Sequence, residues 1–258
     1  MNTTSPRLYR NPVPAAAPIV VIATTLLFGC ATPPDPVTER VETAWPSFRS
    51  PGAEETVYRI DESASLLLAR VDPEGPMARL GHSHVVGGAV LSGRIVTGGS
   101  GTRSEIFVDA NDIQVDRPSW RRAHGLKPGL DDSAIEGTRA NLLGPDVLDA
   151  ENFPRIEARS VAILGPDWLP DVELAIRWRG RVQPFSLPVT VRRAGNRIEA
   201  LGRFDLHHSD FGFQPFSAAG GALRVSDRIQ VRFRIVAVAE AADVAIIAGQ
   251  ATDPGMSE

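Results

Sequence analysis

Two histidines, His82 and His84, are the residues whose types and spacing most directly suggest chemistry. In an extended strand, residues at i and i+2 project from the same face, so the two imidazoles would lie side by side. Neutral imidazole is a common zinc or copper ligand, but a metal site needs further ligands. The other histidines of the chain are His124, His207 and His208. The pair predicts either a polar group on a ligand-binding wall or part of a metal site.

Cys30 is the only cysteine of the 258-residue chain. It follows Arg7, Arg10 and an apolar run at residues 15–28, which is the pattern of a signal peptide. The run is shorter than the roughly 20 apolar residues that a bilayer-spanning helix needs. Its end resembles a bacterial lipobox, which implies a lipoprotein signal peptide at residues 1–29 and acylation of Cys30 by chains such as palmitate. An uncleaved anchor is the alternative.

The chain after the cysteine predicts a tethered domain. Ala31 follows Cys30, and the sorting rule of bacterial lipoproteins then implies the outer membrane, with the domain facing the periplasm. Residues 30–55 are rich in proline, which prevents regular structure and stiffens the chain, so we expect a tether there. The folded domain is predicted at residues 56–239, and residues 240–258 are expected to form a flexible tail.

Composition argues against two classes of function. The net charge is only −4, and no basic stripe indicates a nucleic-acid partner. No GxSxG or HExxH motif occurs, and no serine has histidine and aspartate at a recognisable spacing. We therefore expect neither an enzyme nor a cofactor, and we assign no catalytic residue and no metal ligand.

Strand patterns dominate residues 56–239. Apolar residues alternate with charged ones, which is the period of a strand with one dry face and one wet face. Pro184 and Pro188 cannot donate to a ladder, so their strand is predicted at an edge or a bulge. Only the region near Ser133 to Ala150 shows helical signals, enough for one or two short helices. The chain is thus predicted to be mainly β, with about eight antiparallel strands in a single barrel.

Several short motifs, in order, resemble those of the YceI-like, polyisoprenoid-binding family. They are Tyr58-Arg59-Ile60-Asp61, Glu151-Asn152-Phe153-Pro154-Arg155-Ile156, Phe185-Ser186-Leu187-Pro188-Val189-Thr190-Val191, Ser209-Asp210-Phe211-Gly212-Phe213 and Val225-Ser226-Asp227-Arg228-Ile229. They span almost the whole predicted domain. The resemblance implies a lipocalin-like antiparallel barrel that holds a long apolar chain.

The expected function is a lipid-anchored periplasmic protein that sequesters or carries an isoprenoid or similar amphiphile. The predicted ligand-binding residues are His82, His84, Val86, Leu174, Ile176, Trp178, Phe185, Leu187, Phe204 and Phe233. The two histidines are expected to meet a pyrophosphate or hydroxyl head group, or buried water, because an unpaired buried polar group is costly. A barrel filled with side chains, and a metal-binding or stress-response module using the same histidines, are the alternatives.

A basic loop at residues 117–129 is a second candidate for head-group contact. It carries Arg121, Arg122, His124 and Lys127. At a barrel mouth such a loop can meet a phosphate, but basic loops are more often simply solvated. The sequence favours solvation.

Overall fold

The computed structural model describes residues 43–99 and 101–240. The predicted signal peptide, Cys30, the tether up to residue 42 and the tail after Glu240 lie outside the described residues. Within the described part of the chain, no helix is long and apolar enough to cross a membrane.

Fifteen β-strands and two short α-helices make up most of the described chain, together with four single turns of 3-10 helix. The first seven strands are β1 (Thr56–Ile60), β2 (Leu66–Val71), β3 (Pro73–Glu74), β4 (His84–Gly88), β5 (Leu91–Thr97), β6 (Arg103–Asp109) and β7 (Gln114–Val115). The helices are α1 (Pro118–Ala123) and α2 (Asp132–Leu143). The remaining strands are β8 (Arg155–Leu164), β9 (Asp171–Trp178), β10 (Arg181–Pro188), β11 (Thr190–Ala194), β12 (Arg197–His207), β13 (Ser217–Ala218), β14 (Leu223–Val225) and β15 (Arg228–Ala239).

The 3-10 turns lie at Glu62–Ala64, Ala78–Leu80, His208–Phe211 and Ala219–Gly221. The prediction of a mainly β fold with one or two short helices is confirmed. The number of strands is larger than the predicted eight, because several long strands are bent into consecutive pieces. Regular strand structure is interrupted between β1 and β2 and again between β4 and β5. The pieces nevertheless pair as two continuous strands would, β1 with β5 and β2 with β4.

All strand pairs are antiparallel, and β15 is the strand on which the sheet is built. It pairs with β12 along one edge, from Arg197–Val238 to His207–Arg228. Along the other edge it pairs first with β2 and then with β1. From β1 the order continues through β5, β6, β8 and β9 to β10.

The two ends of the sheet are connected by the continuous chain and not by a ladder of hydrogen bonds between strands. β10 pairs with β9, β11 pairs with β12, and only Val189 separates β10 from β11. The edge position predicted from Pro184 and Pro188 is confirmed, because β10 has a partner strand on one side only. The result is a lipocalin-like antiparallel barrel, with a small sheet of β13, β14 and β3 beside it.

The interior is divided into two apolar clusters along the strands. One cluster contains Ile235 and Ala237 of β15, with Val172 of β9 and Leu187 of β10. We call this region the packed end. The other contains residues nearer the opposite ends of the same strands, such as Ile176 and Trp178 of β9 and Ile229 and Val231 of β15.

The described part of the predicted tether, residues 43–55, lies against the outside of the sheet. The Trp45 ring lies under the guanidinium groups of Arg159 at 4.8 Å and Arg177 at 4.3 Å. The carbonyl of Pro46 accepts a hydrogen bond from Arg159 Nη1 at 2.7 Å. Cation–π contacts of this kind contribute about 0.5–1 kcal/mol each at exposed sites. This stretch is therefore attached to β8 and β9 before β1 begins.

Candidate functional site

A cavity of about 360 Å³ occupies the barrel interior beyond the packed end. Its walls are almost entirely apolar side chains from the sheet, with α2 and the segment after it on one side. Eight of the ten predicted ligand-binding residues line it: His82, His84, Val86, Leu174, Ile176, Trp178, Phe204 and Phe233. The barrel interior is thus packed with side chains at one position along its axis and hollow at another.

Phe185 and Leu187 do not line the cavity. Leu187 is 2% exposed and belongs to the packed end. The ring of Phe185 packs on Phe204, with centroids 6.0 Å apart, and on Phe211, at 5.9 Å. Both residues follow the predicted alternation of inward-facing side chains. Their position along the barrel axis determines whether such a side chain lines the cavity or packs in the core. Phe185 supports the cavity wall from behind.

The segment around Phe211 contributes to one wall of the cavity. Phe211 is fully buried, and its ring meets the Trp178 ring edge-on at 5.3 Å between centroids. Phe213 meets Trp178 in the same way at 5.2 Å. Gly212, between the two rings, has φ of 70°, a left-handed conformation that glycine adopts without strain. Trp178 and Phe211 therefore line the cavity, and the Phe213 ring packs on both of them.

Asp227 and Asp210 hold this wall in place. Asp227 accepts hydrogen bonds from the Ser209 amide at 2.8 Å and from Ser209 Oγ at 2.5 Å. Asp210 accepts from the His207 amide at 2.9 Å. Burial opposes the ionisation of Asp227, yet the bonds from Ser209 outweigh it and keep the pKa of Asp227 below its usual range. Ser209 of one motif and Asp227 of the other are thus partners across the loop.

Trp178, one of the residues of the cavity wall, carries an unsatisfied donor. Its side chain is 4% exposed, and Nε1 has no hydrogen-bond partner within the described residues. A buried N–H without a partner costs about 1–3 kcal/mol. Trp178 is also among the residues that line the cavity. The sequence predicted Trp178 as apolar wall and gave no signal of this polar role.

His84 is held by a buried carboxylate that the sequence analysis did not identify. His84 Nδ1 lies 2.6 Å from Asp116 Oδ2. Asp116 Oδ1 accepts from Arg121 Nη1 at 2.7 Å and from the Val85 amide at 2.9 Å. The Asp116 side chain is fully buried. Burial opposes its ionisation, but the bonds from His84, Val85 and Arg121 outweigh that effect and lower its pKa.

This arrangement fixes which nitrogen of His84 is available. Because the Asp116 carboxylate accepts the proton of Nδ1, Nε2 is the ring nitrogen left for another partner. His84 lines the cavity and is the first residue of β4. His82 lies before the strand, is exposed, and also lines the cavity, with its ring centroid 6.5 Å from that of His84. Both imidazoles are therefore near one region of the cavity.

The basic loop differs in two ways from the loop predicted from the sequence. Residues 118–123 form α1, and Arg121 is buried, not solvated. Its Nη1 also donates to the Ser83 carbonyl at 2.7 Å, which attaches the loop to the segment between the two histidines. The buried countercharge, Asp116, is distant from His84 in sequence, and no local pattern announces such a pairing.

A third histidine, His208, also lines the cavity. It is 5% exposed, and its ring lies 5.6 Å from that of Trp178. Burial lowers its pKa, although the Asp227 carbonyl, 3.0 Å from Nδ1, acts in the opposite direction. Within the described part of the chain, no three histidine, cysteine or acidic residues are grouped so that they could hold a metal ion.

The fold and the cavity together define a lipocalin-like barrel, a class of protein that encloses a small ligand. A sequence model of the YceI-like domain matches residues 58–237. The chain therefore belongs to the YceI-like family, which is known for binding polyisoprenoids within a barrel.

Two solved structures are similar to this chain at low sequence identity. Burkholderia cenocepacia BcnA superposes with a TM-score of 0.51 at 16% identity, over 69% of this chain and 98% of BcnA. A Campylobacter jejuni YceI protein gives a TM-score of 0.43 at 10% identity, over 58% of this chain and 81% of that protein. No curated protein matches the sequence.

We predict that Asp116→Asn lowers the free energy of unfolding by about 3–5 kcal/mol at neutral pH, because Arg121 would stay buried without its countercharge. Denaturant unfolding measures this. Asp131→Asn is the control, since Asp131 caps α2 from an exposed position and asparagine caps equally well, so its change should stay within about 0.5 kcal/mol.

Wild type and Asp116→Asn also test how the free energy of unfolding depends on pH. The folded pKa of Asp116 is depressed, so its contribution to stability is complete above the ordinary aspartate pKa of about 3.9 and is lost as the pH falls through the folded pKa. The difference between wild type and Asp116→Asn should narrow over that acid range. A difference that is constant with pH would contradict the assignment of the charge to Asp116.

Proposed function

We propose that this protein is a lipid-anchored binding protein of the bacterial envelope that encloses an isoprenoid-like, long-chain amphiphile. The observation that carries the proposal is the apolar cavity of about 360 Å³ inside a barrel of the YceI-like family. Small-molecule sites have volumes of roughly 300–1,000 Å³ and bury most of the ligand surface. The cavity is within that range.

The energetics favour a chain-like apolar ligand. Each buried CH₂ group contributes about 0.8 kcal/mol, from which the cost of ordering the ligand must be subtracted. The walls offered by Leu174, Ile176, Phe204 and Phe233 supply contacts of this non-directional kind. A branched hydrocarbon chain fits such walls without requiring a polar partner at every level.

The polar groups of the cavity support a ligand that also carries oxygen. Trp178 Nε1 offers a donor without a partner, and His84 has one ring nitrogen outside its contact with Asp116. A hydroxyl group can accept from the first and donate to or accept from the second, because it has both capacities. We propose that a head group of this chemistry meets these two residues.

Binding, and not catalysis, is the role that we propose for the polar residues. Asp116 is engaged by His84, Val85 and Arg121, and the Ser209 hydroxyl is engaged by Asp227. Each of these groups holds backbone or side chains in position. Such an arrangement is typical of a site that must keep one shape around its ligand.

We predict that Ile176→Arg abolishes retention of the ligand. Ile176 is 6% exposed and lines the cavity, so the substitution places a charge without a partner among apolar walls. The measurement is organic extraction of the purified protein followed by mass spectrometry. Val161→Arg is the control, because Val161 is 59% exposed on the same sheet and should retain the ligand.

A second variant covers the case in which Ile176→Arg does not fold. Ala158→Phe keeps the cavity apolar but fills part of it, since Ala158 lines the wall. It should shorten the longest polyprenol that the protein takes up. Uptake of every chain length at wild-type level by Ala158→Phe would show that the ligand does not enter this cavity.

Trp178→Phe tests the proposed head-group donor. The change keeps an aromatic wall and removes Nε1, so affinity for a polyprenol should fall about three- to tenfold, the value of one hydrogen bond. Affinity for squalene, an isoprenoid without oxygen, serves as the control for the lost ring volume. Equal losses for polyprenol and squalene would contradict a role for the donor.

The anchor and the location are proposed from the sequence alone. Cys30 follows an apolar run and a positive n-region, and acylation there would hold the protein in the envelope, with Ala31 favouring the outer membrane. Cys30→Ala should block maturation, so that the precursor keeps its signal peptide and is not acylated. Processing and localisation of that variant like the wild type would reject the lipoprotein assignment.

A further inference from the structure

The cavity opens to solvent where its lining residues are exposed. Four of its lining residues are exposed, and they mark this opening: His82, Asn141, Ala218 and Arg224. We call these four residues the mouth. The packed end closes the barrel interior in the opposite direction along the strands.

A short ordered segment, residues 75–81, borders the mouth, and we call it the lip. Gly81 lines the cavity directly before His82. The Met77 amide donates to the Ala222 carbonyl at 3.0 Å, which joins the lip to the small sheet that also carries Ala218 and Arg224. Within the lip, the Leu80 amide donates to the Met77 carbonyl at 2.9 Å. The lip is thus a fixed edge of the mouth.

Two large apolar side chains of the lip are turned toward solvent. Met77 is 37% exposed and Leu80 is 60% exposed. They stand at i and i+3 around the 3-10 turn Ala78–Leu80, and this spacing brings side chains to the same side of such a turn. Exposed apolar residues that adjoin each other at a binding site indicate an interaction surface.

Exposed basic side chains are present on the lip and on the loop attached beside it, although the whole chain has a net charge of −4. Arg79 lies between the two and is exposed, and among the described residues it forms no ion pair. Arg122 and Lys127 are exposed on the basic loop, which Arg121 attaches to Ser83 beside the lip. The acids nearest to the lip along the chain are Asp72 and Glu74, which face Arg70 and Arg224 respectively.

We propose that the lip is the surface through which this protein contacts an anionic phospholipid bilayer while it exchanges its ligand. Methionine and leucine enter the boundary between head groups and acyl chains, and basic side chains beside them attract anionic lipid. A long apolar ligand enters water only at a high cost in free energy, so a cavity whose mouth touches the bilayer avoids that step. The inference rests on the proposed function.

The packed end provides a matched surface for comparison. Leu164 is 56% exposed and Trp168 is 66% exposed, so this end carries apolar side chains as exposed as those of the lip. The Trp168 carbonyl accepts from the Val191 amide at 2.9 Å, which places this loop beside β11. A bilayer at this end would face packed core and not the mouth, so contact there would not serve ligand exchange.

The full-length protein, reconstituted in vesicles of phosphatidylcholine and phosphatidylglycerol, tests the contact. A diazirine-bearing amino acid replaces Leu80 in one sample and Leu164 in the other, and phospholipid adducts are counted by mass spectrometry after irradiation. We expect adducts at position 80 to exceed those at position 164 by about tenfold, since only the lip enters the bilayer. Equal yields, a higher yield at position 164, or adducts with protein alone at position 80 would overturn the proposal.

A transfer experiment links the contact to exchange. The probe is a fluorescently labelled polyprenol in donor vesicles, and uptake by the full-length protein is followed with time. The double change Met77→Ser, Leu80→Ser should slow uptake about tenfold and leave the amount bound at equilibrium unchanged, because neither residue lines the cavity. The control is Leu164→Ser with Trp168→Ser, which should match the wild type; slowing in the control, or none in the lip variant, would overturn the role of the lip in exchange.

The two experiments fail in distinguishable ways. If the wild type takes up no polyprenol at all, the proposed ligand is wrong, while adducts at position 80 still decide whether the lip meets the bilayer. If the wild type binds polyprenol but forms no adducts at position 80, the binding function holds and the docking surface is rejected.

Discussion

The pairing of β15 along both of its edges is the constraint on which the rest of this structure depends. One edge is joined to β12 over eleven residue pairs, and the other is joined to β2 and then β1. With both edges satisfied, only the two faces of the strand remain to distinguish inside from outside. Its apolar residues at the odd-numbered positions therefore enter one interior, from Ile229 at the cavity to Ala237 at the packed end.

That interior is divided because the residues of the two levels differ in how they fill space. At the packed end, the side chains of Val172, Leu187 and Ile198 belong to one buried cluster, and none of the three lines the cavity. At the level of the cavity, three aromatic rings are grouped on one side of the barrel. Trp178, Phe211 and Phe213 pack edge-on or stacked with each other, and Arg179 and Arg181 lie over the outer ring of this group. A wall made of mutually supporting rings can stand without filling the space in front of it.

The polar groups around the cavity include a carboxylate that is fully paired and a donor that has no partner. Asp116 is completely buried and remains charged because three donors converge on it, which removes most of the cost of desolvation. Its φ of 54° turns the chain so that its carboxylate reaches back to β4. Trp178 Nε1 is the buried side-chain polar atom that has no such partner among the described residues, and Trp178 is one of the residues that line the cavity. The contrast sets this donor apart from the structural groups around it.

The sequence by itself determined the strands, their inward faces and the family. Alternation of apolar and charged residues is a local property, and it assigned Leu174, Ile176 and Trp178 to one inward face. The tertiary structure alone decided that Leu187, with the same alternation, is in packed core. It alone joined His84 to Asp116 and removed Arg121 from solvent. The reason is physical: period fixes the direction of a side chain, whereas the volume it meets and its partners distant in sequence depend on how all the strands close around it.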